Sequence, residues 1–268
     1  MAQCVRLESS FIQIDGIGEV TERRLWQHGV TDWAHAPSSG ILRRNQEAAL
    51  KHHMEDARDA LAAGDAQFFA DCLPTRESWR LTESFHPFCG SLDIETTGLD
   101  PRQDVVTTVS LTTRADTQTF VRGVDLSTAE LEAALEPIDL LVTFNGAQFD
   151  LPFLKKRLDL EWCGAHIDLR YLCRRIGLAG GLKAIEPQLG IHRQLPDVDG
   201  REAVRLWYQY QDGNAEALDR LIAYNQEDTK TLLPMLDRVH EEIERAAFRR
   251  HLPPERPLSS FTTSDRDE

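Results

Sequence analysis

The spacing of apolar and polar positions divides the chain into three regions. Residues 8–37 carry a short segment punctuated by glycines. From 41 to 84 the pattern is helical, and the run 45–63 is rich in Ala, Glu, Leu, Arg and Asp, with breaks at Gly64–Asp65 and Pro74. From Phe85 onward, strand-like and helix-like segments alternate, as in an α/β domain. The expected organisation is a small all-α region over 1–84, an α/β domain over 85–248, and a tail over 249–268. From Pro253 the tail is rich in Ser, Thr, Asp and Arg, a composition that predicts disorder.

In the α/β region, residues 89–94 read as a strand that ends in acidic residues. The β-branched stretches 105–112 and 117–121 suit the next two strands of an antiparallel meander. Ser127 is placed to cap a helix running to 135, and 139–144 has the unbroken apolar character of a buried strand. A helix is expected over 151–158, a short strand ending at Ile167, and helices over 169–176 and 182–189. Asn214 would cap a last helical run to about residue 247, which Pro234 is expected to kink or divide. No internal repeat is visible.

With 41% hydrophobic and 28% charged residues, the composition is that of a soluble globular protein. No apolar stretch approaches the ~20 residues that span a bilayer, and no basic segment followed by an apolar run opens the chain. The expectation is a cytoplasmic protein without a membrane partner. Cys4, Cys72, Cys89, Cys163 and Cys173 form an odd set without a C-x-x-C pair, which points to free thiols and not to a disulfide framework or a zinc site. The nine histidines also lack zinc-ligand spacing. A net charge of −14 disfavours a broad electrostatic grip on nucleic acid. A cluster of cation-binding carboxylates is itself acidic, however, and affinity depends on local patches.

The informative segment is Leu92-Asp93-Ile94-Glu95-Thr96-Thr97-Gly98-Leu99. Residues two apart on a strand share a face, so Asp93 and Glu95 project together while Leu92 and Ile94 pack behind. Adjacent carboxylates repel each other unless a proton or a cation intervenes. An Asp-x-Glu pair alone is a weak signal; the Thr-Thr-Gly that follows strengthens it, because glycine permits a tight exit that leaves the carboxylates uncovered.

Asp93-Ile94-Glu95-Thr96-Thr97-Gly98 resembles the first motif of the DnaQ-like, or DEDD, 3′→5′ exonuclease superfamily. Asn145-Gly146-Ala147-Gln148-Phe149-Asp150 resembles the second motif, and Tyr224-Asn225-Gln226-Glu227-Asp228 the tyrosine form of the third. The histidine form would need His where Ala223 stands. Gly180-Gly181-Leu182-Lys183 and the stretch from Leu206 to Asn225 are similar to the YprB-like branch.

The resemblance, which spans roughly 88–239, implies an RNase H-like fold with a mixed sheet flanked by helices. It also implies two Mg²⁺ or Mn²⁺ ions. Asp93 would bridge them, Glu95 and Asp228 would help hold one, and Asp150 would act on the other, often through water. Four carboxylates carry about −4, which two such ions neutralise, and hard oxygen ligands suit them. Tyr224 lies four residues before Asp228, hence on one helix face, and would orient the attacking water.

Thr96, Thr97, Asn145 and Phe149 are the candidate substrate-binding residues. Asn145 would either bind the terminal nucleotide or cap its loop; Phe149 would either stack on a base or back Asp150 from the core. Asp168 would lie near the metals or cap the helix that begins at Leu169. Lys155, Lys156 and Arg157 would meet phosphates or form a solvated helix face.

Near the N-terminus, Ile14-Asp15-Gly16-Ile17-Gly18-Glu19 and the following segment to Val30 resemble a helix-hairpin-helix motif. In such a motif Gly16 and Gly18 would offer backbone N–H groups to a DNA phosphate. Asp15 and Glu19 oppose that role electrostatically, and the motif would otherwise serve as a packing unit. The resulting expectation is a 3′→5′ exonuclease that releases nucleoside monophosphates from single-stranded nucleic acid, with DNA favoured over RNA because of this motif. The alternatives are a structure-specific endonuclease on branched DNA and a non-catalytic adaptor that binds nucleic acid on the same fold.

Overall fold

The computed structural model describes residues 6–195 and 200–253. In the N-terminal region Gly16 adopts a left-handed φ of 76°, and Gly18 then precedes helix α1 (Glu19–Gln27). Helix α2 (Arg44–Ala63) ends at left-handed Gly64, and the Asp65 carboxylate accepts the Phe68 N–H to cap α3 (Ala66–Cys72). Pro74 ends that path, and a 3-10 turn over Thr75–Arg80 leads into α4 (Leu81–Phe85). Leu25, Trp26, Leu50, Phe69 and Trp79 of this region share one apolar cluster with Leu140, Ile167 and Leu236 of the region that follows.

Arg80, 3% exposed, reinforces the N-terminal packing: Nη1 and Nη2 donate to Glu22 at 2.8 and 2.9 Å, and Nε donates to Glu77 at 2.8 Å. Glu22 also accepts the backbone N–H groups of Phe11 and Ile12.

The β-branched segments assemble one five-stranded sheet of order β3-β2-β1-β4-β5. β1 (Cys89–Thr96), β2 (Val106–Thr112) and β3 (Thr117–Val121) form the antiparallel meander. β4 (Leu140–Thr143) and β5 (Ala165–Asp168) add in parallel on the other side of β1. β1 is therefore central. Its pairing with β2 shifts register between Glu95 and Thr96, where the acidic residues end.

The two faces of β1 differ sharply. Leu92 and Ile94 pack with Val109 and Leu111 against Leu131 and Leu135 of α5 (Thr128–Leu135) and Phe153 and Leu154 of α6 (Asp150–Leu158). The opposite face carries Ser91, Asp93 and Glu95, with Ser110 and Thr108 beside the two acids on β2. After α7 (Leu169–Arg175), α8 (Leu182–Ile185) and α9 (Gly200–Gln211), the long helix α10 (Ala215–Ala247) crosses this polar face. There Ser91 Oγ donates to the Thr229 carbonyl at 2.9 Å, and Asn225 reaches Asp93.

Three expectations change. α10 runs unbroken through Pro234, because buried Thr231, Leu232, Leu233, Met235 and Leu236 hold both of its sides while Pro234 itself faces solvent. The helix expected over 182–189 becomes the short α8 and a 3-10 turn over Glu186–Leu189 that has Pro187 in its second position and stops at left-handed Gly190. α9 is additional: Ala203, Leu206 and Trp207 make the stripe that packs on Leu221 and Tyr224 of α10. The expected tail is described only to residue 253, with a 3-10 turn over Arg249–His251; the rest, like Cys4, lies outside the described residues. Among the described residues no helix is long and apolar enough to cross a membrane.

Candidate active site

The carboxylates at the end of β1 meet α10. Asp93, Glu95 and Asp228 each offer an oxygen, and these oxygens all lie within 4.8 Å of one another. Strand alternation delivers the first two, and the polar face of α10 delivers the third. Asn225, three residues before Asp228, donates from Nδ2 to Asp93 Oδ2 at 2.7 Å and fixes the carboxylate on its strand.

Asp150 begins α6 beside this trio. Its Oδ1 accepts the Ile94 N–H at 3.1 Å, which ties the second acidic segment to the strand of the first. The loop before it is set by Asp168, whose carboxylate accepts N–H groups of Asn145 (2.8 Å), Ala147 (3.2 Å) and Arg170 (3.0 Å). Asp168 is thus both the cap of α7 and the organiser of the Asn145–Asp150 loop. Asn145 takes a left-handed φ of 68°, and its side-chain oxygen accepts from Arg170 Nη1.

Burial and mutual repulsion set the electrostatics. Burial, then the charges of Asp150, Asp228 and Glu95, push Asp93 well above the ordinary carboxylate range. Glu95 is raised well above it for the same two reasons, with Lys183 opposing. Burial moves Asp150 up to about 7 despite its backbone hydrogen bonds. Asp228 is raised by burial, against the pull of Arg193 and the Tyr224 hydrogen bond. Burial and then the neighbouring carboxylates raise the Tyr224 phenol, so it stays protonated.

The remaining predicted residues divide between the site and its supports. Thr96 and Phe149 line an open cleft of about 660 Å³ next to Glu95, with Leu99 on its rim and Arg201 and Val204 contributed by α9. Phe149 also meets Phe153 with ring centroids 4.9 Å apart, so it touches cleft and core at once. Thr97 instead accepts the Val105 N–H at 3.0 Å and braces the loop that follows β1. Gly98 is required there: a Cβ would sit 2.4 Å from Asp104. Lys155 pairs with Glu161 at 2.5 Å on an exposed surface. Gly16 and Gly18 lie apart in sequence from these groups and line a separate concavity with Ile14 and Asp15. The Gly16 carbonyl accepts from Gln46 at 2.8 Å.

Sequence reasoning missed the cations. Lys183 Nζ lies 4.7 Å from the centre of the Tyr224 ring, and Arg193 Nη1 lies 2.5 Å from Asp228 Oδ1. Lys183 had a signal in its glycine-rich surroundings; Arg193, in a connection between helices, had none. Leu99, Arg201 and Val204 were equally unmarked, because α9 reaches the cleft only through folding.

The family model of the RNase_H superfamily matches residues 91–240, more than half of the chain. The chain belongs to this superfamily, and its sheet and flanking helices form an RNase H-like fold. The comparison with curated proteins returned no match. Among solved structures, the family B DNA polymerase from the hyperthermophilic archaeon Pyrobaculum calidifontis is similar at 16% identity and a TM-score of 0.45 over 58% of this chain. The chain spans 24% of that polymerase. Brucella melitensis NrnC with bound Mg²⁺ is similar at 16% identity and a TM-score of 0.46, covering 63% of this chain and 80% of that one. NrnC bound to pGG gives 16% identity and a TM-score of 0.45 over the same shares.

Proposed function

We propose that this chain is a tyrosine-type DEDD nuclease that removes nucleotides from the 3′ end of single-stranded nucleic acid. The observation that carries the reading is the convergence of Asp93, Glu95 and Asp228, with Asp150 and Tyr224 beside them, at the edge of an open cleft. Burial first, and then repulsion from the neighbouring carboxylates, raises Asp93 and Glu95 well above the ordinary carboxylate range. A set of hard oxygen donors under such strain fits Mg²⁺ or Mn²⁺. Two such ions, when bound, would stabilise the attacking and leaving oxygens of an in-line phosphoryl displacement.

The chain's own residues would do the rest. Asp93, Glu95 and Asp228 would hold the ions with support from Asp150. Asn225 keeps Asp93 oriented, and the Ile94 N–H keeps Asp150 oriented. The protonated Tyr224, one helical turn from Asp228, would orient the attacking water without taking its proton. The terminal nucleotide would enter the cleft between Leu99 and Phe149, with Thr96 beside Glu95.

Residues 1–84 are proposed as a helical module carrying a helix-hairpin-helix motif, in which the backbone at Gly16 and Gly18 meets a DNA phosphate. That motif favours DNA over RNA.

The test uses 5′-labelled single-stranded DNA and RNA with Mg²⁺ or Mn²⁺ against EDTA, and Asp93→Ala as control. Ladders that shorten from the 3′ end, and vanish with EDTA and in the variant, are expected. Cleavage of circular single strands at an equal rate would reassign the activity to an endonuclease. Binding without cleavage of either polymer would overturn the nuclease reading.

A further inference from the structure

Asp228 differs from the other members of the carboxylate trio in already having a cation. Arg193 Nη1 lies 2.5 Å from Asp228 Oδ1, whereas among the described residues no ion pair within 4.0 Å reaches Asp93 or Glu95. The rest of the Arg193 guanidinium is held elsewhere. Nε donates to Glu186 Oε2 at 2.6 Å and Nη2 to Glu186 Oε1 at 2.9 Å, a two-pronged grip by a side chain that is 1% exposed. Glu186 therefore fixes one edge of the guanidinium plane and leaves Nη1 in ion-pair contact with Asp228, whose Oδ1 has no hydrogen-bond partner.

Such a fork matches a phosphate as well as a carboxylate, and its charge is permanent. A carboxylate oxygen engaged by Nη1 is not fully available to a second cation, so an ion that takes Asp228 has to weaken that contact. Because Glu186 holds the other two nitrogens, the arginine would not leave the site when this happens.

Resting on the nuclease reading above, we propose that Arg193 competes with the divalent cation for Asp228 and that loading of the ion redirects Nη1 to a phosphate of the nucleic acid. Arg193 is then a positioning residue that couples metal loading to substrate grip, and Glu186 is the anchor that keeps it in place. Without metal, the same contact offsets the Asp228 charge among the neighbouring carboxylates.

The test measures Mn²⁺ binding to the full chain, free of nucleic acid, by electron paramagnetic resonance of unbound Mn²⁺. Arg193→Gln removes the competitor and is expected to tighten Mn²⁺ binding about tenfold. Glu186→Gln leaves Arg193 dependent on Asp228 alone and is expected to weaken it; a general loss of packing would not move the two variants in opposite directions. With Ca²⁺ present, Arg193→Gln is also expected to bind a fluorescent single-stranded oligonucleotide about tenfold more weakly, although it binds Mn²⁺ more tightly. Arg193→Lys, which keeps the charge without the fork, tests the same point if the Gln variant does not fold; it too should bind Mn²⁺ more tightly than the unaltered chain.

Equal or weaker Mn²⁺ binding by these Arg193 variants overturns the proposal. Asp93→Asn separates that failure from failure of the nuclease reading. If Asp93→Asn loses Mn²⁺ while Arg193→Gln matches the unaltered chain, the metal site stands and only the role of Arg193 falls. If neither the unaltered chain nor Arg193→Gln binds Mn²⁺, both fall.

Discussion

Tyr224 is buried, has the Lys183 ammonium over its ring, and lies one helical turn before Asp228 on the same face of α10. A phenol in that position contributes through its hydroxyl and through its ring, and the two are separable. Tyr224→Phe keeps the ring, the packing on α9 and the cation–π contact, while losing the hydroxyl. Cleavage is expected to fall roughly tenfold to a hundredfold, with Mn²⁺ affinity nearly unchanged. Single-turnover kinetics beside a metal titration check this, and a large loss of Mn²⁺ binding would assign the tyrosine to holding the carboxylate nest instead. Asn225 has a quieter part. Its Nδ2 holds Asp93 in place, and its position beside the third-motif tyrosine did not by itself disclose that contact.

α10 is the element on which the site depends, since it supplies Tyr224, Asn225 and Asp228 and covers the polar face of the sheet. Pro234 lies inside it, six residues after Asp228, and is exposed. A proline there removes the N–H that would bond the Lys230 carbonyl and crowds that carbonyl with its ring. Because Pro234 buries little, Pro234→Ala restores a helical bond at no loss of packing. The expected gain is about 1 kcal/mol or more in urea unfolding, with cleavage retained. A loss of stability would mean that the helix uses a bend at this point to follow the sheet.

Over the whole molecule, two buried electrostatic arrangements have opposite consequences. Arg80 is matched by Glu22 and Glu77, both about as buried as itself. Arg80→Ala would leave Glu22 without its cation, and a loss of roughly 3–5 kcal/mol in urea unfolding is expected. A loss below about 1 kcal/mol would show that water relieves the pocket.

The carboxylate nest works the other way. Asp150 is raised by burial from an ordinary 3.8 up to about 7, so between those values the folded chain holds a proton that the unfolded chain has released. Metal-free stability from this group is present below the lower value and declines as pH rises through the upper one. In EDTA, Asp150→Asn is therefore expected to be more stable than the unaltered chain by about 1–3 kcal/mol at about pH 8, and by much less at about pH 5. Urea unfolding at the two pH values checks this; equal differences at both would show that Asp150 is not the group responsible.

Much of this protein was legible in its residues alone. Strand alternation put Asp93 and Glu95 on one face, and the four-residue interval put Tyr224 and Asp228 on one side of a helix, because those periodicities are properties of the backbone. The meander, the buried strand at 140–143 and the caps at Ser127, Asp168 and Asn214 were readable for the same reason. Pro234 does not divide the helix, since a local helix penalty cannot report that both flanks of the helix are buried. α9 escaped notice although Ala203, Leu206 and Trp207 carry helical spacing. Only the tertiary structure brought Arg193 to Asp228, Arg170 to Asn145 and Arg201 to the cleft beside Glu95. Those meetings join residues far apart along the chain, and their energies come from burial and charge pairing that no local interval encodes.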